Sequence, residues 1–370
     1  MKKYRVVHVI SSLKMGGAEI LLIDLIKYLR KQEYDQSVVF FYDGPIKNRI
    51  EALNIPVYHV KGLISLYDPV FWVRLYLLLR RAKPDLIHSS LWAANCAARL
   101  IGLFLRVPVL CAVHLGVNLD GRIRNSIDRY TFCCAKKVIA ISDHVYTTIQ
   151  KKKWIHPVSM ALIRNGIDYV GVQKRAQIER KTHAALGLSD DHFIIGSVGR
   201  FSTRKNHAYL LRVFAQVHIY HPNARLFLIG FGPGESSLRA LAKLLGIDAV
   251  VYFMVNESAY GYYPLMNCFV LPSLQEGLSI ALLEAMACSI MPIITYESVR
   301  HEVVKHGYNG FVIPTLNQQL LVKLFDSLIR NKHVCEKYGE RAFETIKSDF
   351  TIERMATEYI QEYEHIFNAK

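Results

Sequence analysis

No C-x-x-C pair occurs anywhere in the chain, and the cysteine count is seven, an odd number. Cys96, Cys111, Cys133, Cys134, Cys268, Cys288 and Cys335 stand mostly among apolar residues. That usage excludes a disulfide framework and a zinc site, and it suits thiols kept reduced. Long apolar runs are also missing. VFWVRLYLLL (70–79) is too short to span a bilayer, and LWAANCAARLIGLFLRVPVL (91–110) is broken by Arg99, Arg106 and Pro108. The opening run KKYRVVHVI turns polar at Ser11, as a strand does and a signal peptide does not. Neither a repeat of solenoid period nor a low-complexity tract appears. What remains is a chain of 370 residues, 51% apolar, long enough for two domains and too apolar for disorder. These traits together point to a cytoplasmic protein.

Acids are scarce in one half only. Residues 1–180 hold 28 Lys and Arg against 13 Asp and Glu, whereas residues 181–370 hold 18 against 18. The formal charge of +15 therefore belongs to the first half. A basic half suits an anionic partner: nucleic acid, a phosphate-bearing substrate or an acidic membrane face. No nucleic-acid recognition motif or aromatic-interleaved basic stripe is present, which argues against the first of these.

Short apolar strands alternate with helical patterns along the chain. RVVHVI (5–10), SVVFFY (37–42), IPVYHV (55–60), DLIHSS (85–90), PVLCAVH (108–114) and KKVIAIS (136–142) are the first set. FIIGSVG (193–199), RLFLIG (225–230), VVYF (250–253), CFVLPS (268–273), PIIT (292–295) and FVIP (311–314) are the second. Continuous apolar strands separated by helices predict parallel sheets covered on both faces. The expectation is two successive doubly wound α/β domains, 1–168 and 192–350. A polar linker is expected over 169–191, and a C-terminal helix over 351–370 that packs back toward the first domain.

Several loops at strand ends carry chemistry. Gly16 and Gly17 separate the first strand from a helix, where a backbone free of side chains and unpaired amides suit an anion; a plain tight turn would read the same. His114 closes the strand PVLCAVH, at the edge where open sheets bind ligands, while His8 reads as a packed core histidine. Arg200 and Lys205, with Arg204 between them, follow a strand and precede a helix, a pattern that suits a diphosphate or a solvated loop equally. GFGPG (230–234) resembles a dinucleotide turn, but no acid follows at the end of a second strand, so a nicotinamide cofactor is not expected. In LQEGLSIALLEAMA (274–287), Glu276 and Glu284 bracket an apolar run with a helix starting near Ser279. Glu276 is then expected in the loop facing the cleft and Glu284 inside the helix, with roughly 12 Å of helical rise and about 80° of rotation between them, so that both can face one elongated ligand. A buried salt bridge for Glu284 and a helix-dipole partner role for Glu276 are the plainer alternatives.

Taken in order, the motifs resemble the family 4 retaining glycosyltransferases of bacterial surface-polysaccharide type. They are GGAE (16–19), His114, the serine of AIS at 142, NGID (165–168), GR with its lysine (199–205), IGFGP (229–233) and the E-x7-E stretch PSLQEGLSIALLEAMA (272–287). The resemblance implies a GT-B fold, two facing Rossmann-like domains with a cleft between them. It also implies transfer with retention from a nucleotide diphosphate sugar, UDP-sugar favoured and GDP-mannose the alternative, to a surface-glycan or lipid-linked acceptor in lipopolysaccharide or capsule synthesis.

By the same resemblance, Glu276 with Gly277, Leu278 and Ser279 would hold the donor sugar, and Glu284 the ribose. Arg200 and Lys205 would clamp the diphosphate, with Gly232 nearby. His114 would meet the sugar near the reacting carbon, Gly16 and Gly17 would serve the phosphate or acceptor side, and Asn165 would be a further substrate-binding residue. No D-x-D occurs, so no metal and no cofactor are expected. An anionic membrane surface is the expected second partner, contacted through Lys2, Lys3, Arg74, Arg80, Arg81, Arg99 and Arg106.

Five positions depart from the family pattern. Asn206 replaces a glycine after the lysine, Ser289 replaces one after EAMAC, Met254 replaces one after VVYF, and Ser298-Val299 replace a Gly-Gly pair. A GT-B-type epimerase or phosphorylase, or a nucleotide-sugar-binding protein without catalysis, shares the remaining pattern.

Overall fold

A computed structural model describes residues 3–14, 16–31, 34–61, 68–114, 121–151, 160–274, 276–295 and 302–369. The chain divides into two compact units, 1–167 with 352–370 and 168–351.

In the first unit the strands are β1 (Arg5–Ser12), β2 (Asp35–Tyr42), β3 (Val57–His59), β4 (Leu86–Ser90), β5 (Val109–Val113), β6 (Lys137–Ala140) and β7 (Met160–Leu162). They pair in parallel in the order β3-β2-β1-β4-β5-β6-β7. Parallel neighbours need crossovers, and helices α1 (Gly17–Lys31), α2 (Ile46–Glu51), α3 (Pro69–Ala82), α4 (Trp92–Leu105), α5 (Gly121–Thr131) and α6 (Asp143–Gln150) supply them. One core gathers α3, α4 and α6 against one face, around Phe71, Leu75, Ile101 and Ile149; another gathers α1 and α2 against the opposite face, around Ile23, Ile26 and Ile46. The strands are mostly apolar because both faces are covered.

In the second unit α7 (Tyr169–Ile178) precedes β8 (Phe193–Val198), α8 (His207–Tyr220), β9 (Ala224–Gly230), α9 (Glu235–Leu244), β10 (Val251–Val255) and β11 (Cys268–Leu271). Then follow α10 (Ile280–Ala287), β12 (Met291–Thr295), β13 (Phe311–Ile313), α11 (Gln318–Arg330) and α12 (His333–Asp349). The sheet is again parallel, in the order β10-β9-β8-β11-β12-β13. In each sheet the winding reverses beside the first strand, between β1 and β4 and between β8 and β11. At such a switch point the loops leaving the strands part and a ligand can enter.

The last helix, α13 (Ile352–Asn368), groups with the first unit. Tyr363 on it shares a hydrogen bond of 2.6 Å with His88 Nδ1, and Phe367 stacks on Tyr4 at 3.9 Å.

Two expectations are corrected. The segment 169–191 is not an open linker: α7 occupies its first half, capped by Asp168, and Gln173 donates to the Ala287 carbonyl at the end of α10. Arg99 is no surface cation. It is fully buried on α4, 2.6 Å from Asp128 and stacked over Phe132 at 4.3 Å, so it cannot meet a membrane. Lys2 and Ser298-Val299 lie outside the described residues.

Candidate active site

The second unit brings three of its loops together at the switch point. The loop after β8 and the loop after β9 are laced by backbone bonds: Phe201 N–H donates to Phe231 at 2.8 Å and Gly234 N–H to Phe201 at 3.0 Å. Such closeness requires Gly232. Its φ is +151°, and a Cβ there would lie 2.5 Å from the Phe201 carbonyl oxygen. Arg200 stands exposed on this lacing. The loop after β11 joins through Leu274 N–H, which donates to the Arg204 carbonyl at 2.8 Å.

These ties place Lys205 Nζ 2.6 Å from Glu276 Oε1, with the Ser273 hydroxyl donating to the same oxygen at 3.3 Å. Two residues 71 positions apart thus form one ion pair below the start of α8. Asn206 begins that helix in the left-handed region, at φ +55°. Glycine is the ordinary occupant of that conformation and asparagine is among the best side chains tolerated there, so the departure from the family glycine keeps the backbone geometry.

Glu284 is 7% exposed on α10. The Tyr260 hydroxyl donates to its Oε1 at 2.6 Å and the Tyr263 hydroxyl to its Oε2 at 3.0 Å. Phenols are thus among the partners that this buried acid demands, beside the salt bridge considered from sequence. The Arg175 guanidinium of α7 lies 3.9 Å over the Tyr260 ring. As expected, α10 begins at Ile280 and Glu276 sits in the loop before it; the helical rise and rotation assigned between Glu276 and Glu284 therefore do not apply. Leu278 and Ser279 are buried in that loop, and Ser279 is the N-cap residue of α10.

The first unit assembles its own candidates at the ends of β1, β4 and β5. Gly16 and Gly17 open α1, and Glu19 in its first turn is buried against Gly16. Burial pushes the Glu19 carboxyl up to about 7. Ala18 and Leu22 of α1, His88, Ser90, His114, Asn165 and Tyr359 line a cavity of about 20 Å³, room for one water molecule. Nε2 of His88 and Nε2 of His114 are both buried without a partner. Burial lowers the His114 pKa to about 4, so the ring is neutral near pH 7. His8 is buried as expected, with Nε2 3.1 Å from Gln36.

Two quoted motif residues prove to be helix caps: Ser142 accepts from Val145 N–H at 3.2 Å, and Asp168 accepts from Gly171 N–H at 2.8 Å. Sequence reading missed Glu19, His88, Tyr260 and Tyr263. Only Glu19 had a signal, its place in GGAE.

Two parallel, doubly wound sheets, one in each unit, make this a GT-B fold. The family models agree unit by unit. "Glycosyltransferase Family 4" matches residues 15–169 and "Glycosyl transferases group 1" matches 178–345. The chain belongs to the family 4 glycosyltransferases. An uncharacterized glycosyltransferase of Haemophilus influenzae is 27% identical, over 93% of this chain and 95% of its own. The UDP-Gal:alpha-D-GlcNAc-diphosphoundecaprenol alpha-1,3-galactosyltransferase of Escherichia coli is 22% identical, over 84% of each chain. Anabaena HepE, solved in complex with UDP and glucose, superposes with a TM-score of 0.86 at 20% identity, covering 98% of this chain and 100% of its own.

Proposed function

We propose that this glycosyltransferase moves a sugar, with retention and without a metal, from a UDP-sugar to a lipid-linked or surface-glycan acceptor at a membrane. The observation that carries the reading is the Lys205–Glu276 pair at the ends of β8 and β11, inside the E-x7-E frame. The solved relative with UDP and glucose, and the E. coli relative named for UDP-Gal and a diphosphoundecaprenol acceptor, support the donor and acceptor classes.

Breaking a sugar–phosphate bond leaves positive charge on the ring and negative charge on the departing diphosphate. Lys205 and Arg200 would stabilise the second, as fixed cations beside a helix N-terminus. Glu276, released from Lys205, would turn to the sugar hydroxyls together with the backbone of Gly277, Leu278 and Ser279. Glu284 would hold the ribose. His114, neutral near pH 7, would offer a hydrogen bond without adding charge beside a cationic ring. Gly16, Gly17 and Asn165 would serve the acceptor side. Glu276 has no nucleophilic role in this scheme; the acceptor hydroxyl attacks the face that the diphosphate leaves.

Among the described residues, no three His, Cys, Asp or Glu side chains gather as a metal site would need. The membrane part rests on α3 and the end of α4. Val70, Val73 and Leu77 are exposed beside Arg74, Arg80 and Arg81, and Leu103 and Phe104 beside Arg106. No helix among the described residues is long and apolar enough to cross a membrane. A thermal-shift panel of UDP, GDP and their sugars tests the donor assignment. UDP and a UDP-sugar should raise Tm as their concentration rises; no shift with any of them would contradict it.

A further inference from the structure

Tyr260 is absent from every motif that marks the family in this chain, yet it holds a motif residue. Its hydroxyl donates to Glu284 Oε1 at 2.6 Å, while Tyr263 holds the other oxygen at 3.0 Å. The two rings meet edge to face, with centroids 6.2 Å apart. Tyr260 is itself held by Arg175, stacked 3.9 Å over its ring. The chain of contacts runs from α7 through Arg175 and Tyr260 to Glu284 on α10, and Gln173 ties α7 to the end of α10 independently.

A buried carboxylate on a helix would otherwise turn about its side-chain torsions. Two phenol donors on different oxygens fix its plane. Tyr263 stays protonated and able to donate, because burial, with Glu284 beside it, holds its phenol well above the usual range. A carboxylate oxygen that accepts from one phenol can still accept from a sugar hydroxyl, since each oxygen has more than one lone pair. The cation over the Tyr260 ring draws electron density from it and strengthens the O–H as a donor.

We propose that Tyr260 is a positioning residue for nucleotide recognition: it aims the Glu284 carboxylate at the vicinal hydroxyls of the donor's ribose and so makes the site select ribonucleotides. The proposal rests on the reading of Glu284 as the ribose ligand, and the test separates the two.

The full chain and its Tyr260→Phe, Arg175→Met and Glu284→Gln variants are titrated calorimetrically with UDP, GDP and the 2′,3′-dideoxy form of each. The tighter-binding base is used for the comparison. The wild-type chain should prefer the ribonucleotide by about tenfold or more, the worth of a hydrogen bond to a charged group. Tyr260→Phe should cut that preference to about threefold or less while its affinity for the dideoxy form stays within about twofold. Arg175→Met, which keeps the hydroxyl, should fall between; it serves as the readout should Tyr260→Phe not fold. An unchanged preference in Tyr260→Phe, or equal weakening toward both nucleotides, overturns the positioning role. Full preference retained in Glu284→Gln overturns the ribose assignment beneath it, and so does binding of neither nucleotide by the wild-type chain.

Discussion

Lys205 and Glu276 satisfy each other at 2.6 Å, so a diphosphate arriving at Lys205 competes with a carboxylate already there. The competition has a measurable consequence. Glu276→Gln should bind UDP about threefold tighter, because a neutral amide holds the lysine less firmly, while turnover of the UDP-sugar falls by about 10². Calorimetry beside steady-state kinetics reads both; unaltered UDP affinity would show that the pair does not stand in the way. Buried titratable groups add a pH signature. His8 and His114 have pKa values near 4 and His207 near 3, against an ordinary 6.5. The unfolded chain takes up protons that these rings refuse, so stability is full above pH 6.5 and drains away as pH falls toward 4. Glu19 acts in the opposite sense. Raised from 4.5 to about 7, it favours folding at acid pH and loses that contribution as pH rises through 7. Tm should therefore fall between pH 6.5 and 4, and Glu19→Gln should fall more steeply yet melt higher at pH 8. A Glu19→Gln curve parallel to wild type would refute that opposition. Glu276, Glu284, Arg200 and Lys205 were legible as residues because family motifs frame them. Their partners were not, since a tyrosine in the irregular stretch SAYGYYPL shows no period and its contact with Glu284 is made only by tertiary folding.

At the level of elements, nearly every strand was legible as a continuous apolar run, because a parallel sheet covered by helices buries both faces. β7 was not, being three residues long at the sheet edge. α7 was mistaken for linker for a related reason. Only Val172 and Ala176 of its ten residues are buried, one pair four apart, and the polar remainder masks the period. The start of α10 was placed within a residue and Glu276 in the loop before it, yet a helical rotation between the two acids has no meaning across that loop. The departures from family glycines divide by backbone. Met254 sits buried in β10, where no special conformation is needed, and Asn206 tolerates its left-handed φ. Ser289, just past α10, takes φ +58° without that tolerance. Ser289→Gly should stabilise the chain by about 1 kcal/mol, a gain read from chemical denaturation midpoints at constant slope. A loss of stability would mean that the serine side chain contributes more than its backbone strain costs.

For the whole molecule, the charge asymmetry between halves was plain in the sequence, but which cations reach the surface was not. Burial of Arg99 against Asp128 removes one, and Arg74, Arg80, Arg81 and Arg106 remain exposed beside apolar side chains. Each basic residue near an anionic surface is worth about 1 kcal/mol, screened over a Debye length of ~10 Å at 0.1 M salt. The full chain should co-sediment with vesicles rich in anionic lipid at low salt and leave them at high salt. Reversing Arg74, Arg80 and Arg81 to Glu should abolish the binding without lowering Tm. Equal binding by that variant would move the membrane contact elsewhere.

The central claim is transfer driven by a cationic clamp, and one product measurement tests it most directly. The full chain, in EDTA, is given a UDP-sugar and a lipid-diphosphate-linked sugar acceptor, and the linkage formed is read by NMR for wild type and Lys205→Ala. The account predicts an α-linked product from an α-linked donor, undiminished by EDTA, and a fall in kcat/KM of ~10² or more in Lys205→Ala. An inverted linkage, turnover abolished by EDTA and restored by magnesium or manganese, or a Lys205→Ala variant within about twofold of wild type would contradict it.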